Sequence, residues 1–181
     1  MKTKFLALAF AFLAPFAVMA DDVSYGYFDV SYQTGSVDPV DFDGFRLDLS
    51  YPINDNWFIA FDYTDASFDP TGDFSDYSIA AGWHNEMFFA TFGYETAEVT
   101  GFDDSGFALD FGLRSMVSEN VELNAHLGYS DLGSFDTYLK YGFGAVWMFG
   151  DNMGVSFNYD LWSADTGGDL DAMGVGFRFN F

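Results

Sequence analysis

The sequence predicts an all-β chain folded as a transmembrane antiparallel up-and-down β-barrel of about ten strands, with eight as the alternative. Three observations predict it. Large apolar residues alternate with small, polar or charged ones at a period of two through ten successive segments. Those segments are separated alternately by tight turns and by longer acidic stretches. On the apolar parity, Trp gathers beside the tight turns and Tyr toward the acidic stretches.

The N-terminal stretch stands apart from this pattern. Lys2 and Lys4 precede an apolar run, and Val18-Met19-Ala20 offers small residues before Asp21. That is the layout of a cleaved secretory signal peptide, so the expected organisation is a signal peptide at 1–20 and a barrel domain at 21–181. An uncleaved helical anchor fits less well: the run is shorter than the roughly 20 residues a spanning helix needs, and Pro15 interrupts it. No later segment is long and apolar enough for a helix, so any span must be built from strands.

The ten strands follow in order. The first is expected at 23–33, with Phe28, Val30 and Tyr32 opposite Tyr27, Asp29 and Ser31; a Gly/Pro/Asp-rich loop spans 34–43. The second, 44–53, sets Phe45, Leu47, Leu49 and Tyr51 against Arg46, Asp48 and Ser50, and Asn54-Asp55-Asn56 turns the chain. In the third, 57–67, Trp57, Ile59, Phe61 and Tyr63 oppose Ala60, Asp62 and Thr64, before a loop at 68–76. The fourth, 77–84, places Tyr77, Ile79, Ala81 and Trp83 opposite Ser78, Ala80, Gly82 and His84. After a turn at Asn85-Glu86, the fifth, 87–97, faces Phe88, Ala90, Phe92 and Tyr94 away from Thr91, Gly93 and Glu95, and a loop spans 98–105.

The sixth strand, 106–117, opposes Phe107, Leu109, Phe111 and Leu113 to Ala108, Asp110, Gly112 and Arg114. Past Ser118-Glu119-Asn120, the seventh, 121–130, alternates Val121, Leu123, Ala125, Leu127 and Tyr129 with Glu122, Asn124, His126 and Gly128. A shorter loop at 131–136 leads to the eighth, 137–149, with Leu139, Tyr141, Phe143, Ala145, Trp147 and Phe149 opposite Tyr138, Lys140, Gly142 and Gly144. Gly150-Asp151-Asn152 turns into the ninth, 154–163, where Val155, Phe157, Tyr159 and Leu161 oppose Ser156, Asn158 and Asp160, and the last loop spans 164–170. The tenth, 171–181, carries Met173, Val175, Phe177, Phe179 and Phe181 on one face and Ala172, Gly174, Gly176, Arg178 and Asn180 on the other. Strands of about ten residues are what a tilted membrane barrel requires.

Volume and aromatic sorting choose the outward face. A narrow barrel has an interior just wide enough for side chains to fill, and the apolar row is too bulky for it. The opposite row, rich in Gly, Ala, Ser and Asp, suits a wet lumen. Trp57, Trp83 and Trp147 would form one interfacial belt, and Tyr32, Tyr63, Tyr77, Tyr94, Tyr129, Tyr141 and Tyr159 the other. With tight turns periplasmic, both termini are periplasmic too.

Charge narrows the functions. The chain has 28 acidic and 6 basic residues, and loss of the signal peptide would remove two bases and no acid. Such a surface has no basic patch for nucleic acid or anionic lipid. A 22% aromatic content excludes disorder, and the absence of cysteine means an exported fold without disulfides. The bases beyond the signal peptide, Arg46, Arg114, Lys140 and Arg178, all share the inward parity with Asp29, Asp48, Asp62, Glu95, Asp110, Glu122 and Asp160. The expected result is a lumenal ion-pair network, with a selectivity constriction as the sharper alternative. Inward glycines (Gly82, Gly112, Gly128, Gly142 and others) are expected to leave room for water, while Tyr27, Tyr138 and Trp162 are placed to close the lumen.

His84, expected near the periplasmic end, and His126, expected within the lumen, belong to no Asp-x-His pair and are expected to be structural, so no catalytic residue, cofactor or metal site is assigned. The surplus acid falls in the expected loops (Asp38, Asp41, Asp43, Asp65, Asp69, Asp73, Asp76, Asp103, Asp104, Asp131, Asp136, Asp165, Asp169 and Asp171). There it would keep loops solvated and engage divalent cations loosely, without the spacing of an EF-hand loop.

The signal peptide, alternating strands, aromatic belts and terminal Phe181 together resemble the small outer-membrane β-barrel proteins of the porin-like superfamily, across the whole mature chain. The resemblance implies a location in the bacterial outer membrane, contact with lipid and lipopolysaccharide, and a closing strand whose Phe177, Phe179 and Phe181 form a signal read by the barrel-assembly machinery. It does not imply an activity, since that group includes channels, adhesins and enzymes. The reading places a structural or surface-interaction barrel first, a narrow cation-preferring channel second and an enzyme third, with a monomer as the expected state.

Overall fold

The computed structural model describes residues 23–37, 39–68, 72–134, 136–165 and 168–181. The expected signal peptide, Asp38, Asp69 and part of the 164–170 loop lie outside the described residues. Ten strands follow one another: β1 (Tyr27–Val37), β2 (Val40–Pro52), β3 (Trp57–Phe68), β4 (Asp73–His84), β5 (Phe88–Val99), β6 (Phe102–Ser118), β7 (Val121–Asp131), β8 (Thr137–Met148), β9 (Met153–Ala164) and β10 (Leu170–Asn180). Each pairs antiparallel with the next, and β1 pairs with β10 from Tyr27↔Asn180 to Val37↔Leu170. The sheet therefore closes with no free edge. All ten strands lie in the wall, which rules out the eight-strand alternative with one hairpin outside.

Both described ends of the wall strands, Tyr27 and Asn180, lie at one end of the barrel, called here the terminal end. The opposite end differs from expectation. Much of what reads as loop at 34–43, 68–76 and 98–105 is strand. Thr34, Gly35 and Ser36 pair with Asp43, Phe42 and Asp41; Asp73, Ser75 and Asp76 pair with Ser67, Asp65 and Thr64. Gly, Asp and Ser are poor strand formers alone, but each segment here has an antiparallel partner in register, and pairing outweighs propensity. β5 and β6 are joined by Thr100-Gly101 alone, with φ of 51° and 83°. A two-residue hairpin of this kind needs positive φ at both positions. The wall itself, rather than long loops, extends beyond the Tyr level.

Burial is inverted relative to a water-soluble domain. Asp29, Ser31, Glu95, Arg114, Glu122 and Arg178 are buried, while Phe92, Phe111, Val175 and Phe177 are 58–65% exposed. The apolar parity points outward and the polar parity inward along every strand, as the alternation predicts. Trp57 pairs with Trp83 at the terminal end and Tyr63 with Tyr77 toward the other. Tyr51, outward at the Trp end, is the exception to the sorting. At the far end the inner wall carries an apolar cluster of Phe42, Ala66 and Ala172, packed by Val37, Phe68, Phe74 and Leu170.

Candidate functional site

The lumen brings the inward charges of all the strands together, and they fall into three levels along the barrel. At the terminal end Arg178 Nε donates to Asp29 Oδ2 (3.1 Å) and its Nη1 to Glu122 Oε1 (3.3 Å). Arg114 grips the same Glu122 with Nε and Nη2, at 2.8 and 3.0 Å. Both guanidiniums lie over the Tyr27 ring, Arg178 at 4.2 Å and Arg114 at 4.8 Å. Asp29, fully buried, also accepts from Ser156 Oγ at 2.9 Å. Two bases meet two carboxylates here, so this level is balanced.

The middle level is not balanced. Arg46 donates to Asp48 (2.8 Å), Asp160 (3.2 Å) and Asp62 (3.3 Å), so one base serves three carboxylates. His126 Nε2 lies 3.6 Å from Asp160 Oδ1. The level toward the far end repeats the imbalance. Lys140 Nζ donates to both oxygens of Glu95 (2.6 and 2.7 Å) and sits 4.0 Å above the Trp162 ring. Asp110 and Asp76 line the same space.

Three of these pairs cross the lumen instead of running along the wall. Arg178–Glu122 ties β10 to β7, Arg46–Asp160 ties β2 to β9, and Lys140–Glu95 ties β8 to β5, each three strands apart around the barrel. Between the ties remains a cavity of about 210 Å³. A separate vestibule of about 850 Å³ opens among the turns of the terminal end, bordered by Glu122, Ser24 and Phe181. Arg114 and Arg178 line the upper space and Glu122 the lower, so their ion pairs stand between the two.

Every network residue lies on the inward row expected from the sequence, and four further groups that the expectation did not include join them. Tyr25, ahead of β1, folds under the terminal level: its ring stacks on His84 (3.7 Å, 13°) and Arg114 lies 4.7 Å over its face. Burial pushes its phenol up to about 12, against the pull of Arg114, so it stays neutral. Phe58 and Phe89 also point inward, and Asp76 is a lumenal residue on β4, not a loop acid. All four obey the parity of their strands; Tyr25 is two residues before Tyr27 and Phe58 two before Ala60. An expectation of small inward residues hid them.

The inward glycines need a second correction. Three of them, Gly82, Gly112 and Gly142, do not leave space for water. Gly82 sits directly across from Phe58, and Gly112 across from Phe89. A Cβ on either glycine would lie 2.1–2.4 Å from the opposing ring. Gly142 is similarly filled by His126 and Asp160, its partners on β7 and β9. Each of these glycines is the flat spot on which a large cross-strand neighbour lies.

No protein-family model matches the chain. No curated sequence is significantly similar to it. Among solved structures, it is similar to an outer membrane channel from Pseudomonas putida F1, with a TM-score of 0.54 at 10% identity, over 89% of this chain and 97% of that one. The KdgM porin aligns with a TM-score of 0.48 at 9% identity, over 84% and 99% of the two chains. The translocator domain of the autotransporter NalP from Neisseria meningitidis aligns with 0.47 at 12%, over 99% and 97%. At such identities the likeness to the Pseudomonas channel is one of architecture: the two chains share a closed antiparallel β-barrel fold.

Proposed function

We propose that the protein is an integral outer-membrane barrel of structural or surface-interaction type, closed in its resting state. The outward row supports the membrane part: a continuous jacket of exposed Phe, Leu, Val, Ile, Trp and Tyr around every strand is far larger than the apolar patches soluble monomers carry. Hydrocarbon is its natural medium, and a closed barrel satisfies the backbone there. On this reading outer-membrane lipid surrounds the jacket, the terminal end is periplasmic, and the chain acts as a monomer without cofactor or nucleic acid. Asp41, Asp43, Asp65 and Asp73 continue the outward rows beyond the Tyr level. They would meet lipopolysaccharide phosphates through divalent cations. Phe177, Phe179 and Phe181 end the closing strand as the signal for the assembly machinery.

The observation that carries the closed reading is the set of three cross-lumen ion pairs, two of them almost wholly buried. Purified protein in planar bilayers should therefore give no steady conductance across a wide range of voltage and salt. A second reading, a narrow cation-preferring channel, is favoured by the carboxylate excess around the lumenal cavity. Cation-selective steps that change when Arg46→Gln or Arg114→Gln is introduced would put that reading first.

A further inference from the structure

We propose that the lumenal cavity is a binding site for a small organic cation bearing primary ammonium groups, of the short aliphatic diamine class. The inference goes beyond the closed-barrel reading and does not depend on whether the lumen conducts. It begins with Asp76. This side chain is only 6% exposed, lines the cavity, and its Oδ2 has no hydrogen-bond partner among the described residues. A buried carboxylate oxygen with no donor is costly and calls for one.

The cations nearby are already taken. Lys140 is held by both oxygens of Glu95 and by the Trp162 face, leaving Asp76 and Asp110 without a base of their own at that level. Arg46 is divided among Asp48, Asp62 and Asp160. At these two levels carboxyl groups outnumber bases three to one, inside a wall jacketed by apolar residues, and such a surplus favours uptake of positive charge. The lumen's own pairs show what these carboxylates accept: N–H donors on a flexible or planar cation.

The spread of the acids selects the kind of cation. No group of three or more His, Cys, Asp or Glu among the described residues is close enough to share one metal ion. Separated acceptors instead suit an elongated ion with a donor at each end, one ammonium at Asp76 and the other toward the carboxylates of the Arg46 level. The size agrees. A cavity of about 210 Å³ is several times the ~30 Å³ that one water occupies, which leaves room for a short diamine.

The test is calorimetric titration of the folded, detergent-solubilised protein with 1,4-diaminobutane at constant ionic strength, folding being checked by heat-modifiable gel migration. One saturable site is expected. Asp76→Asn should weaken it about tenfold or more, as loss of a charge-assisted hydrogen bond implies. Asp110→Asn, in the same space, should weaken it as well and serves if the first variant does not fold. Asp55→Asn, in the 53–56 turn at the terminal end, should leave it unchanged. Heat no larger than that of a matched sodium chloride addition would overturn the proposal, as would binding that survives both lumenal substitutions. The first of these results is also what a proton held on Asp76 in place of the amine would give. Conductance plays no part in these readouts, so failure here and failure of the closed-barrel reading are distinguishable.

Discussion

Glu122 is held by Arg114 from the neighbouring strand β6 and by Arg178 from across the lumen, and is 4% exposed. Replacing it with Gln would keep the shape and remove the charge that both guanidiniums face. Arg178 would retain Asp29, but Arg114, whose Nη1 has no hydrogen-bond partner among the described residues, would keep one neutral amide oxygen and the Tyr25 and Tyr27 rings in place of a paired carboxylate. Breaking a buried pair of this kind costs about 3–5 kcal/mol. Urea unfolding of Glu122→Gln in detergent should show a loss of that size; a loss below ~1 kcal/mol would mean that the level contributes little. Gly82 makes the complementary point about volume. Gly82→Val would drive a branched side chain into the Phe58 ring, at about 1–3 kcal/mol by the usual cost of overpacking. Unchanged unfolding would mean that the Phe58 ring has room to move aside. At this scale the sequence was legible in parity and misleading in size. Asp29, Arg46 and Glu122 followed the period of two into the lumen, whereas the meaning of Gly82 depended on Phe58, 24 positions away and adjacent only once β3 and β4 pair.

Among the elements, β10 was legible end to end because Met173, Val175, Phe177 and Phe179 alternate with Gly174, Gly176 and Arg178 without interruption. The far-end halves of β1 and β2 were not. Thr34-Gly35-Ser36 and Asp41-Phe42-Asp43 each lack the composition of a strand, and their pairing is a property of two segments together. Long-range pairing also explains why Asp76 passed for a loop residue. The end of β10 bears on assembly. Phe181 N donates to Gly26 O (3.0 Å) and its ring is 52% exposed, 6.2 Å from Tyr51. Little of its side chain is needed to hold the closed barrel, so Phe181→Ser should refold in detergent almost as well as the parent. In cells the same variant should accumulate as periplasmic precursor if the aromatic terminus is an assembly signal. Equal insertion of parent and variant in cells would remove that role.

The whole molecule follows from one inversion: apolar rows outside, charged rows inside. Neither row would survive exchange. An outward charge would meet hydrocarbon, at about 2–4 kcal/mol for a basic residue near the midplane, and an inward row of Phe and Trp would not fit a narrow barrel. Sequence periodicity reveals two faces but never says which is out. Volume and the placement of Trp57, Trp83 and Trp147 supplied the answer, and the exposed jacket agrees with it. What periodicity left unreadable was which charges find each other across the lumen, since Arg178 and Glu122 lie on strands that never touch. The orientation of the two rows is the claim on which the rest depends, and β10 tests it most directly. The chain has no native cysteine, so nitroxide labels can be placed singly at positions 172–180 in vesicle-inserted protein. Collision with oxygen, which concentrates in lipid, should peak at 173, 175, 177 and 179 and fall at the positions between. A reversed pattern, or one without a period of two, would contradict the account.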